Sequence, residues 1–295
     1  MIRLPSFSRL LGLVLLLIGH LLPAQSGWVR SPGELYAQVS GYAFSSRDYY
    51  SVSGQLFDQG AVYSSQVYNL YGEYGLSDRL TLIANWPALV RNRYSTTNAV
   101  YGLGDASLSA KYGLLRAAWP VSLTLGAELP VGNKNLYARA REPNELGMIT
   151  VSNLPSGDGE LNLLGTLAAS HSCWGGRAYA TAYVTYNFRT QGYSDQWRLG
   201  AELGVRPLDG LWLSGKYFTQ LKGPAGTTEN TSFFRAEGTT YSLLSFGGSW
   251  QVWGPWHLNA FLHLPVNDLP VPFRNVYVGR AFSVGVAYQG QVARM

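Results

Sequence analysis

Immediately after a polar turn, Ser77-Asp78-Arg79, the chain alternates residue by residue. Leu80, Leu82, Ala84 and Trp86 fall on one side and Thr81, Ile83 and Asn85 on the other. A period of two belongs to a β-strand, whose successive side chains point to opposite faces. The same period recurs from end to end and predicts about twelve strands: 32–46, 64–76, 79–91, 103–113, 119–131, 158–171, 176–189, 194–207, 210–222, 239–252, 256–266 and 279–291. No stretch sustains a helical period. The expected fold is all-β.

The connections carry a second pattern. Long ones (47–63, 92–102, 132–157, 223–238 and 267–278) alternate with short ones (77–79, 115–118, 173–175, 208–209 and 253–255). The connection at 190–193 is the one poor fit to this rule. Long connections confined to one end of every hairpin are the habit of an up-and-down transmembrane barrel, with short periplasmic turns and longer outer loops. An even strand count also brings both termini to the periplasmic side.

The two faces differ in charge. On 194–207, Trp197, Leu199, Ala201, Leu203 and Val205 alternate with Arg198, Gly200, Glu202, Gly204 and Arg206. The strands at 103–113, 119–131 and 279–291 divide in the same way. Lys or Arg facing lipid at mid-depth costs roughly 2–4 kcal/mol, so the charge-free face is read as the lipid face. Trp86, Trp119, Trp174, Trp197, Trp253 and Trp256 crowd strand ends, as interfacial girdles require. Pro87, Pro130 and Pro265 are expected near outer strand ends, where a missing ladder donor is tolerable.

Composition agrees. Only 13% of the 295 residues are charged, while Gly is 34, Tyr 20 and Trp 9. The formal charge of +5 is modest and partly belongs to Arg3 and Arg9. Without a basic cluster, nucleic acid is not implied as a partner. Arg3, Arg9, the apolar run Leu10–Ile18 and Ala24-Gln25-Ser26 read as a cleaved secretory signal peptide over 1–26, the alternative cut following Ala24. The barrel then occupies 27–295, and the expected location is a Gram-negative outer membrane. Cys173, the single cysteine, is read as a small turn residue and excludes an internal disulfide.

One segment resembles a known family. Gly102-Leu103-Gly104-Asp105-Ala106-Ser107-Leu108-Ser109-Ala110-Lys111-Tyr112, followed by Leu123-Thr124-Leu125-Gly126-Ala127-Glu128-Leu129-Pro130-Val131-Gly132, is similar to a group of Gram-negative outer-membrane transporters named for the MetA pathway of phenol degradation. The likeness spans 70–132 well. It implies a barrel that carries small solutes, hydrophobic or aromatic ones among them, and it supplies no catalytic residues. One departure is the C-terminus, Val292-Ala293-Arg294-Met295, where such barrels carry a terminal aromatic. Either the last strand stops near Tyr288 or recognition by the insertion machinery differs.

Candidate chemistry lies on the inward face. It carries Glu34, Glu73, Asp105, Glu128, Glu160 and Glu202 against Lys111, Arg198, Arg206 and Lys216, with His257 and His263 on the strand at 256–266. This mixed lining has no dominant sign, unlike the constriction of an ion-selective porin. Tyr183, Trp212 and Phe218 are placed to stack on a solute. The expected function is therefore a channel for passive uptake or efflux of a neutral or amphipathic solute. A docking barrel for an envelope complex is the alternative, and a lipid-modifying enzyme a more distant one. The charged loop 132–157 either folds inward as a constriction or meets a protein partner. No catalytic, cofactor or metal motif is recognised: His171 and Ser172 point to opposite faces, and His257 and His263 stand about 20 Å apart along one strand.

Overall fold

The computed structural model describes residues 25–224 and 237–292. The expected signal peptide through residue 24, most of the connection at 223–238 and the last three residues lie outside the described residues. Twelve strands form the wall: β1 (Glu34–Tyr50), β2 (Leu56–Gly75), β3 (Leu80–Tyr94), β4 (Ala106–Leu115), β5 (Val121–Leu129), β6 (Asn162–Cys173), β7 (Ala178–Arg189), β8 (Gln196–Leu208), β9 (Leu211–Lys222), β10 (Tyr241–Trp253), β11 (Trp256–Pro265) and β12 (Ala281–Gln291). Each pairs antiparallel with its sequence neighbours. Pairing of Glu34 through Phe44 with Gln291 through Ala281 closes the circle. Closure matters because an open edge would leave backbone N–H and C=O groups facing hydrocarbon, where water cannot satisfy them.

Burial runs opposite to that of a soluble domain. Leu82, Leu108, Leu125 and Leu203 are 43%, 56%, 60% and 66% exposed, while Thr81, Ser122, Thr185 and Ser242 are 0% exposed. An apolar band this continuous is not left facing water. The alternation after Ser77-Asp78-Arg79 therefore turns its leucines to lipid and its threonine to the lumen. Trp119, Trp174 and Trp253 are exposed beside the short turns, at the height of one membrane interface.

Two expectations need correction, and of the two alternatives for the C-terminus the early stop near Tyr288 falls. The connection at 47–63 is mostly ladder: β1 and β2 stay paired out to Tyr50 and Leu56, past a register shift between Ser46 and Asp48. Alternation fades there because this part of the hairpin stands clear of lipid and has no face that must be apolar. Pro87 lies well inside β3, not at its end. The β2–β3 register shifts between Tyr68 and Leu70, opposite Pro87, so the missing donor falls at a bulge. The last strand continues to Gln291, and the Val292 N–H donates to the Gly33 carbonyl at 2.9 Å.

The long loop at 132–157 folds inward. Tyr137–Arg139 and Val151–Asn153 form a small hairpin of their own. Its Ala138 and neighbouring Leu154, 1% and 0% exposed, pack with Tyr63 and Tyr277 at the outer mouth. The short connection at 190–193 is also an outer one. It stays short because it is pinned: the Asp195 carboxylate accepts the Arg189 N–H at 2.9 Å and the Tyr186 hydroxyl.

Candidate functional site: the lumen and its strap

Inward-pointing residues of the twelve strands leave a lumen in two parts. The outer chamber has a volume of about 630 Å³ and is lined by Tyr42, Phe44, Tyr183, Phe218, Tyr241 and Phe273, among other residues. The inner chamber, about 370 Å³, is lined by Trp28, Tyr36, Tyr71, Tyr179, Trp212 and Phe261, among other residues. Gln25 lines both and marks where they meet.

Gln25 belongs to a strap absent from the strand pattern; of the two expected cuts, only the one after Ala24 keeps the strap contacts of Gln25 and Ser26. Residues 25–33 precede β1 and run along the inside of the wall. The Gln25 side-chain oxygen accepts the Thr185 hydroxyl at 2.9 Å on β7. The Gly27 N–H donates to Ser170 Oγ at 2.8 Å on β6, and Ser122 Oγ on β5 donates to the Ser26 carbonyl at 2.8 Å. The Arg30 N–H donates to Thr81 Oγ1 at 2.8 Å on β3. Arg30 then closes the strap with ion pairs of 2.9 Å to both Glu34 and Glu73. A row of inward Ser and Thr thus serves as a docking rail. In sequence these residues are simply the polar half of an alternation.

The predicted charges sort into local groups. Glu73 meets Arg30, accepts the Tyr71 hydroxyl at 2.5 Å and shares its electrostatic field with buried Lys111. Glu202 pairs with Lys216 at 3.1 Å and accepts the Tyr179 hydroxyl. Arg198 donates to Gln220 and Gln196, and the Arg206 guanidinium lies over the Trp212 ring. His263 bonds through both ring nitrogens, to Ser245 at 2.7 Å and Ser283 at 3.2 Å. His257, on the same face, is half-buried toward the other end of β11. No group of three or more potential metal ligands occurs among the described residues.

Two outer groups hold loops. Arg189, 1% exposed, grips Glu160, itself 0% exposed, through Nη2 at 2.6 Å and Nε at 3.2 Å. Asp158 and Glu237 stand at 3.7 and 4.0 Å from the same guanidinium. Glu237 in turn accepts the Ser194 N–H and hydroxyl. Sequence reasoning placed Glu160 inward but missed Arg189 and Glu237, because the partners sit on separate loops with no shared pattern.

Asp105, the acid of the Gly-Leu-Gly-Asp segment, is the second loop holder. Its two oxygens accept the N–H groups of Gly132 and Asp158 at 2.7 and 2.8 Å. A Cβ at position 132 would lie 2.9 Å from that carboxylate and 2.7 Å from Gly157 Cα, so glycine is required there by close approach. The two halves of the segment that resembled a family are thus one interlock: the acid of the first seats the glycine of the second.

Burial pushes the Asp105 carboxyl up to about 6, against the two backbone donors and with help from the Asp158 and Glu128 charges. A carboxyl raised on docking holds its proton more tightly there than when free. Its contribution to docking is full below about pH 4 and is lost as pH rises through the docked value. A dye at Leu146→Cys, in a Cys173→Ser background, is expected to show higher anisotropy near pH 4 than near neutrality. Asp105→Asn should reduce that difference, the remainder coming from the Glu160 carboxyl, which burial pushes up to about 7 and which responds with the same sign.

The closed wall, apolar outer band and polar inward face define a transmembrane β-barrel. Among solved structures, the chain resembles the COG4313 outer membrane channel from Pseudomonas putida F1, with a TM-score of 0.64 and 14% identity over 92% of this chain and 100% of that one. The likeness is one of fold. A NanC porin (TM-score 0.48, 9% identity, 86% of this chain and 98% of that one) and a TodX deltaS2S3 mutant monoaromatic hydrocarbon channel (0.48, 10%, 89% and 91%) are too distant to bear on the argument. No family model matches the chain, and no curated protein matches it significantly.

Proposed function

We propose that this protein is an outer-membrane channel through which small, neutral solutes bearing an aromatic ring diffuse passively. The outer chamber carries the reading: eight aromatic side chains surround about 630 Å³, enough for a small organic molecule. Its charged lining residues are two acids, Glu128 and Asp158, and two bases, Arg189 and Arg198; Arg189 stands against Asp158 and Glu160, while Glu128 and Arg198 bond to neutral amides. A neutral solute meets ring faces and amide groups, and the two acids and two bases of the lining leave no dominant sign to attract an ion. The family resemblance around Gly102–Gly132 supports the same solute class, and the fold shared with a solved outer membrane channel supports the location.

Liposome swelling tests this with solutes that do not cross lipid unaided. Arbutin, a neutral phenyl glucoside, is expected to enter barrel-containing vesicles markedly faster than sucrose. Equal rates would reduce the protein to a size sieve and overturn the aromatic preference. Rates no higher than those of empty vesicles would overturn the channel.

A further inference from the structure

The inner chamber has no part in the argument above, yet it is built to hold something. We propose that it is a second, separate binding station for a neutral, flat aromatic molecule of one or two rings, and that the strap supplies one of its walls. The inference rests on the channel reading and deepens it.

Trp28 of the strap stands edge-on to Tyr179 of β7, with ring centroids 6.0 Å apart, and Tyr179 leans on Trp212 of β9 at 5.3 Å. Phe261 of β11 lines the same space. Together they surround about 370 Å³, well above the roughly 150 Å³ of an apolar cavity that accepts benzene. The phenol groups are already committed: Tyr179 to Glu202, Tyr71 to Glu73 and Tyr36 to Gln38. What these side chains offer a guest is therefore ring surface.

Charge selects in the same direction. The chamber holds two acids and two bases, and all four are paired, Arg30 with Glu73 and Lys216 with Glu202. An ionic guest would have to break a pair to gain a partner, whereas a neutral ring breaks nothing. Because Trp28 and Arg30 are strap residues, the station exists only while the strap is docked.

Diffraction from crystals of the barrel soaked with 4-bromophenol locates bromine by its anomalous signal. Peaks in both chambers are expected. Trp28→Ala and, independently, Trp212→Ala should each remove the inner peak and spare the outer one. A peak confined to the outer chamber would overturn the inner station and leave the channel reading standing. An inner peak that survives Trp28→Ala would overturn the role of the strap. No bromine anywhere in the lumen would count against both readings.

Discussion

Replacing Gly27 with leucine is expected to raise single-channel conductance several-fold in a planar bilayer. A Cβ at this position would lie 2.1 Å from the Pro120 carbonyl oxygen and 2.9 Å from the Ser170 backbone nitrogen. Both obstacles are backbone at the wall, beside β5 and within β6, and the ladder gives them little freedom to yield. The strap must leave instead. Its departure breaks the Gly27–Ser170 and Ser122–Ser26 bonds and pulls on Arg30, whose bonds to carboxylates are each worth about 1.5–3 kcal/mol. The wall loses side-chain bonds to the strap but none of its inter-strand ladder, so the variant should show an unchanged β-sheet spectrum and unchanged heat-modifiable gel migration. Wild-type conductance in a folded Gly27→Leu barrel would mean that the strap does not limit the passage.

Arg189→Met should release the outer loops while leaving the barrel closed. The guanidinium is the shared partner of Glu160, Asp158 and Glu237, and Glu160 is fully buried. Removing one member of a buried ion pair strands the other, at a cost of about 3–5 kcal/mol. The loops can escape that cost by undocking into water; the strands cannot follow, because their bonds are to each other. The expected result is rapid chymotrypsin cleavage within 132–157 and 190–195, with an intact barrel core on gels. The double variant Arg189→Met/Glu160→Gln should regain much of the protection, since it leaves no uncompensated charge in that pair. Equal protection in wild type and Arg189→Met would show that the loops are held by packing around Tyr63, Ala138, Leu154 and Tyr277 alone.

The wall was legible in the sequence because a lipid face tolerates so little. Leu199, Leu203 and Val205 had to be apolar while Arg198, Glu202 and Arg206 could not share their side, and that contrast fixes strand, face and register together. The strap was not legible. Gln25 to Arg30 shows no alternation, follows the apolar N-terminal run, and is docked by serines and threonines that any lumen would carry. The Arg189 clamp was hidden for a related reason: its partners meet across loops, where no periodicity links position 160 to 189 or 237. Asp105 could be placed inward, but nothing in the chain marks two backbone amides as its partners. Alternation reports which medium a residue faces; it is silent on which neighbour it holds.

The inverted burial of the barrel has a consequence for its history. The bonds that close the wall are made by backbone, which every sequence possesses, and lipid asks only that the outward side be apolar. The inward residues that would choose a solute contribute little to either requirement. Such a lining can be rewritten one position at a time with the barrel intact. In a lineage of this kind, solute preference would be among the first properties to diverge, and the strand count among the last.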